Sequence, residues 1–194
     1  MSAPRPYTMR ARDEAKAATR LRILRAVLGL SEEKMTVEIT LNEVAERAGV
    51  TVQTVLRHFG SRDGLLDEAV KLASAEVEQE RRVRPGDVAG AVEAVVAHYE
   101  KRGDYVLRLL GQEHDPRIAA VTTPGKQLHR RWVHDCFRPQ LQARPAGERA
   151  ALTDLLVVAT DLYTWKLLRR DRGLDPPTVR ARMRSLITAI LAGE

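Results

Sequence analysis

Between Thr40 and Leu66 the chain reads TLNEVAERAGVTVQTVLRHFGSRDGLL, and the polar side chains after Gly49 are of types that pair with base edges. The Gln53 amide suits an adenine edge, the Arg57 guanidinium a guanine edge or a phosphate, and the methyls of Thr51, Val52 and Thr54 a thymine methyl. His58 stays on the same outward side. Thr40 stands before this stretch and Arg62 after it. Ser61 and Arg62 open a further helix, whose first backbone amides suit a phosphate oxygen. Thr40, Thr51, Val52, Gln53, Thr54, Arg57, His58 and Arg62 are therefore the candidate contacts to double-stranded DNA.

No comparable set of residues points to catalysis. His129 and Cys136 are seven apart, and seven residues of helix span about 10 Å, too far for a thiol and an imidazole to share a proton. The chain has no Gly-rich phosphate loop, no HExxH and no nucleophile elbow. Its five histidines are scattered without metal-ligand spacing. The expectation is a protein that is not an enzyme, with no cofactor and no metal site.

The candidate contacts need two short helices and a tight turn to hold them. Thr40 and Glu43 stand in capping-box relation, which fixes a helix start. Val44, Ala45 and Ala48 give that helix a narrow apolar side, and the small Ala45 admits a close neighbour. Gly49 supplies the left-handed conformation that ends it, Val50 anchors the turn and Thr51 caps the second helix. In that second helix Val55 and Phe59 face inward with Leu56 beside them, which leaves the polar residues outside. Two such helices at a steep angle form the motif whose second member enters the major groove.

The rest of the chain is cut into helix-length pieces by Pro85-Gly86-Asp87, Gly103-Asp104, Asp115-Pro116, Pro124-Gly125, Pro145-Ala146-Gly147 and Gly173 through Asp175-Pro176. Val88, Ala91, Val92, Val95, Val96 and Tyr99 form one helical stripe, Leu152, Leu155, Leu156, Ala159, Leu162 and Tyr163 a second, and Val179, Met183, Leu186, Ile187 and Ile190 a third. Thr36 to Thr40 is the only strand-like run, lacks a partner and reads as an extended connector. The spacing predicts an all-α chain of about nine helices, near 11–30, 41–48, 52–59, 62–82, 87–102, 104–114, 116–122 with 126–138, 148–171 and 176–192. The organisation expected is an N-terminal arm and three-helix DNA-binding domain over 1–62, followed by a larger helical regulatory and dimerisation domain over 63–194.

The net charge is +6. Residues 1–62 carry +4 of it, and Arg5, Arg10, Arg12, Lys16, Arg20, Arg22 and Arg25 precede the first firm apolar stripe. A polyanionic partner fits that gradient. The single cysteine excludes an intrachain disulfide framework. With no apolar leader and no run long enough to span a bilayer, the cytoplasm is the expected compartment, without membrane association.

At these same residues the sequence resembles the TetR family of bacterial transcriptional regulators. The likeness covers about 15–75, including Ile23, Leu24, Ala26 and Leu28, the run LNEVAERAGVTVQTVLRHF and the SRDGLL after it. Family members usually carry a tyrosine where Leu56 stands, often against a phosphate, and more usually a lysine where Arg62 stands. The resemblance implies a homodimer formed through the last two long helices, here near 148–171 and 176–192. It also implies a repressor on a palindromic operator, released when a small-molecule effector binds the helical domain. The 148–171 segment fits, since Val157, Val158, Trp165 and Leu168 lie off its first stripe and a helix apolar on two sides needs two partners. His98, Tyr99, Tyr105, Trp132, Cys136 and Tyr163 combine aromatic bulk with polar tips and are the candidate effector contacts. Lys126, His129, Arg130 and Arg131 form a basic cluster that reads as a solvated helix face. The remaining readings are a regulator or activator without a ligand, and an architectural DNA-binding protein.

Overall fold

Apolar residues spaced three and four apart become helix along nearly the whole chain. The computed structural model describes residues 6–193, and among them there is no strand. The helices are α1 (Pro6–Glu33), α2 (Leu41–Ala48), α3 (Val52–Phe59), α4 (Arg62–Glu80), α5 (Val88–Leu110), α6 (Pro116–Cys136), α7 (Arg138–Gln142), α8 (Ala146–Ala159), α9 (Leu162–Lys166) and α10 (Pro176–Ala192). The all-α reading and the plan of a helix-turn-helix followed by a helical domain both hold. Arg5, with the start of the basic arm, lies outside the described residues.

Two compact units meet in sequence at Ala73 and Ser74, within α4. In the first, Ile23, Leu24, Ala26, Val27 and Leu30 of α1 cover Val44, Ala45 and Ala48 of α2, Val55 of α3, and Leu65 and Ala69 of α4. The sequence reading divides the chain at 62/63. The first turns of α4 nevertheless bury their apolar side in this first core. In the second unit α5 supplies Val92, Val95, Val96 and Tyr99, α6 supplies Val133 and Cys136, α8 supplies Leu152 and Leu156, and α10 supplies Val179, Met183 and Ile187. Trp165 of α9 and Phe137, both shut off from solvent, complete this core.

Punctuation read from sequence fails at three places. α5 runs unbroken through Gly103-Asp104: a Cβ on Gly103 would lie 2.6 Å from Cζ3 of Trp165, so this glycine makes room for an indole instead of ending a helix. α6 continues through Pro124-Gly125, since an internal proline removes one ladder bond while its neighbours still close theirs. The helix expected over 148–171 is in fact α8, then α9, then a π-helical stretch at Leu167–Asp171. Asp161 makes that break by accepting a hydrogen bond from the Tyr163 amide and capping α9, while the apolar stripe passes across it undisturbed. The strand-like Thr36–Glu38 is one 3-10 turn between the extended residues Met35 and Ile39.

Candidate nucleic-acid interface

α2 begins where its capping box predicts. The Thr40 hydroxyl accepts from the Glu43 amide at 3.3 Å, and the Glu43 carboxylate accepts from the Thr40 amide at 2.9 Å. Lys34 also holds that carboxylate, and its hydrogen bond, with those from Thr40, lowers Glu43 to about 2. At the other end Gly49 sits at φ 62, a left-handed conformation that is strained for residues with a Cβ. The Val50 amide then bonds back to the Ala45 carbonyl at 2.9 Å. Thr51 caps α3 by accepting from the Thr54 amide at 3.2 Å.

Arginines from α1 hold this pair of helices by their carbonyl ends. Arg22 Nε donates to the Ala48 carbonyl at 2.8 Å, and Arg20 Nη1 donates to the His58 carbonyl at 3.1 Å. Each places a cation at a helix C-terminus, where the unpaired carbonyls and the macrodipole favour it. Arg20 also lies 4.5 Å over the Phe59 ring and pairs with Glu68 at 2.7 Å. Of the basic row read from sequence, Arg20 and Arg22 thus lock α2 and α3, Arg10 pairs with Glu14, and Arg12 and Lys16 stand exposed.

Val55 has no exposure at all, and with it as the inward pin α3 turns Thr51, Gln53 and Arg57 to solvent. Val52, Thr54 and His58 are half-buried at the rim of that face, and Thr40 is exposed at the head of α2. Burial lowers the His58 imidazole below its ordinary value, with further lowering from Arg57, Lys16 and Arg20. Those three cations mark the positive field around the end of α3, as a phosphate contact requires. Leu56 is 38% exposed. It therefore leaves the core that Val55 and Phe59 enter, and places an apolar side chain on the outer side of α3.

Arg62, at the start of α4, fastens the fold through its guanidinium. Its Nε donates to the Ile39 carbonyl at 2.9 Å, and its Nη2 donates to the Thr36 and Val37 carbonyls at 3.0 and 2.9 Å. The fork therefore fastens the turn ahead of α2 to the start of α4. Ser61 accepts from the Gly64 amide at 3.0 Å and so shapes that start itself.

The effector candidates divide. His98, Tyr99 and Cys136 are buried and Trp132 is half-buried. His98 and Tyr99 pack at 5.6 Å between ring centres, and Tyr99 donates to the Thr160 carbonyl at 3.0 Å. Tyr105 is half-buried below Arg108, at 6.0 Å from the guanidinium. Tyr163, on α9, is 54% exposed. Burial pushes the Cys136 thiol up to about 12. None of these six lines the open cleft of about 210 Å³ beside His134, Arg138, Arg149 and Thr153.

Sequence reasoning missed the polar groups packed between these aromatics. Arg81 is only 4% exposed. Its Nη2 donates to Nδ1 of His129 at 2.8 Å, and Nε2 of His129 in turn donates to the Thr160 hydroxyl at 3.1 Å. That hydroxyl donates its own proton to the Leu156 carbonyl at 2.7 Å, which fixes the imidazole as the neutral Nε2–H tautomer. Arg81 lies in the charged run Glu78-Gln79-Glu80-Arg81-Arg82, which reads as surface. Lone histidines and threonines carry no spacing signal either. The basic cluster also resolves: Lys126 pairs with Glu113, Arg130 with Asp154, Arg131 is exposed and His129 is buried.

Two comparisons bear on these units. A family model described as bacterial regulatory proteins, tetR family, matches residues 23–69, which run from the buried Ile23 of α1 to the buried Ala69 of α4. No curated protein matches the chain.

Proposed function

We propose that the chain, whose residues 23–69 match the model of the tetR family of bacterial regulatory proteins, is a DNA-binding regulator of that kind: a homodimeric repressor which grips a palindromic operator and is released by a small-molecule effector. The observation that carries the reading is the outward face of α3, where Gln53 and Arg57 are exposed beside Thr51 while Val55 is fully buried. In this reading Gln53 and Arg57 contact base edges, Thr51, Val52 and Thr54 contact thymine methyls, and Thr40 and His58 contact phosphate. Arg62 acts by holding the turn before α2.

A homodimer is supported by the outer sides of α8 to α10. Leu155, Val158, Tyr163, Leu167 and Leu186 are between 41% and 62% exposed, although the opposite sides of the same elements are buried in the second unit's core. Of the second apolar side read from sequence, Trp165 is fully buried and Val157 and Leu168 pack against that core, so of those four only Val158 belongs to the dimer surface, with Leu155, Tyr163, Leu167 and Leu186. Two copies related by a dyad double the base contacts and impose half-sites about 34–36 Å apart.

The test is recovery of bound genomic fragments, followed by salt titration on a recovered site and on random duplex. A sequence reader prefers its site by at least about 10³, and equal binding to both duplexes overturns the proposal. Sedimentation of a Leu155→Glu, Val158→Lys double variant tests the dimer surface: monomers are expected, and a persisting dimer places the interface elsewhere.

A further inference from the structure

A buried guanidinium normally meets a carboxylate, because taking a charge out of water costs several kcal/mol unless an opposite charge or a full set of acceptors replaces the hydration. Arg81 has neither. It forms no ion pair with any carboxylate of the described residues, its Nε is buried without an acceptor, and its one side-chain hydrogen bond goes to the neutral His129. Its Cζ lies 4.0 Å from the centre of the Trp132 ring, and the Trp132 indole donates to the Arg81 carbonyl at 2.8 Å. The side chain is thus held in one pose.

The neighbouring acids leave that charge unanswered. Glu80, next in sequence, is taken by Lys101 at 2.5 Å and Arg102 at 3.2 Å. Although burial works against its ionisation, those hydrogen bonds hold it down to about 2. Cys136 and Tyr99 stay protonated because burial raises both. The bases add no competing charge: burial first, then Arg81, lowers His98 to about 4 and His129 to about 3. The result is one positive charge among the apolar bodies of Tyr99, Trp132 and Cys136, with a free donor and no anion of its own.

We propose that Arg81 is the anchor for an effector carrying a single carboxylate on an apolar body, with Nε donating to the carboxylate and Trp132 and Tyr99 flanking the hydrocarbon part. The inference rests on the effector reading above and names the chemical class that reading left open. A monocarboxylate matches the single charge available, whereas a dianionic phosphate would bring one negative charge too many into the same surroundings. A carboxylate reaching Arg81 gives the buried Nε an acceptor in a dry setting, where such charge-assisted bonds are strongest. Arg81 comes directly after α4, the helix that begins at Arg62 in the DNA-reading unit.

The experiment uses the full chain with octanoate and phenylacetate as probes, and octanol and phenylacetamide as their neutral twins. Binding is read by calorimetry and by the shift in thermal unfolding, in the natural protein and in Arg81→Met and Arg81→Lys. Saturable binding of at least one carboxylate is expected, absent for its neutral twin, about 10- to 100-fold weaker in Arg81→Met, and partly restored in Arg81→Lys. The proposal is overturned if neither carboxylate binds saturably, if the neutral twins bind as tightly, or if Arg81→Met binds like the natural protein. Should Arg81→Met not fold, Arg81→Lys and the comparison of twins decide. DNA binding is measured separately: a chain that binds its operator and ignores both carboxylates loses this site and keeps the regulator reading, and one that binds a carboxylate but no DNA does the reverse.

Discussion

The two units treat their inner arginines in opposite ways. In the first, Arg20, Arg22 and Arg62 all reach backbone carbonyls at helix ends or turns, so each cation is satisfied by the fold it fastens, and the remaining polar groups point outward from α3. In the second, Arg81 is more deeply buried than any of these, and among the described residues its guanidinium reaches only a neutral imidazole. In the first unit these three guanidinium groups all end on backbone carbonyls behind the outward face of α3. The other keeps a donor in reserve inside its core, as expected of a part built to respond to something else. Substitutions aimed at each set of interactions break or sharpen this contrast.

The largest effect is expected at Trp165, which fills the second core, takes the space left by Gly103 and donates to Glu100 at 2.8 Å. Trp165→Ala leaves a cavity that costs about 3–5 kcal/mol. Denaturant unfolding followed by amide exchange should show the loss in α5, α8 and α10, with the protection of α1 to α3 unchanged. If protection fell equally in both units, the two cores would not be independent.

Next comes Arg62. Replacing it with Met removes three hydrogen bonds to carbonyls and is expected to cost about 1.5–3 kcal/mol of stability, read as a lower unfolding midpoint. The slope of operator affinity against salt should stay the same, because in this reading Arg62 touches no phosphate. A slope that drops by about one would return Arg62 to the DNA surface.

Acid tests the buried histidines of the second unit without mutation. His98 at about 4 and His129 at about 3 titrate in the fold well below the 6.5 of an unperturbed imidazole. As pH falls below 6.5 the unfolded chain takes up protons that the fold refuses, and each histidine then removes about 1.4 kcal/mol of stability per pH unit. The loss is absent above pH 7 and runs down to about 4 for His98 and about 3 for His129. Glu43 and Glu80, both near 2, add their own loss only below their ordinary 4.5, so the window from 6.5 to 4.5 isolates the imidazoles. His129→Gln should make the slope there shallower, and an unaltered slope would mean that the histidine is not kept neutral.

Arg57→Ala tests the outward face directly. Removing a base-edge hydrogen bond there costs about 1–3 kcal/mol of specific binding, with random duplex bound as before. Equal weakening on both duplexes would reassign the side chain to phosphate.

Most of the first unit was legible in its residues, and the reason is local. A capping box, a left-handed glycine and a capping threonine act over three to five residues, so Thr40 with Glu43, Gly49 and Thr51 could be placed from spacing alone. Most of what escaped was decided over long distances, the exception being the local cap of Asp161 on the Tyr163 amide. Gly103 reads as a helix stop until an indole from α9 is seen beside it, Asp161 caps a helix in the middle of an unbroken apolar stripe, and Arg81 sits in a charged run that reads as surface. Arg62 was placed correctly at a helix start, yet its partners lie more than twenty residues back. No pattern along the chain encodes those pairings.

The smallest effect expected is also the one that bears most directly on the outward face. Leu56 is 38% exposed on the outer side of α3, so it leaves apolar surface beside Arg57 and lacks a hydroxyl. Leu56→Tyr keeps the bulk and adds a donor at ring length, without disturbing Val55 or the cap at Thr51. One neutral hydrogen bond added at a surface contributes about 0.5–1.5 kcal/mol, so operator affinity should rise about two- to tenfold. Random duplex should improve by the same factor, since phosphate contacts carry no sequence information. An improvement confined to the operator would mean that position 56 faces bases, and none at all would mean that α3 is held with this side chain away from the DNA backbone.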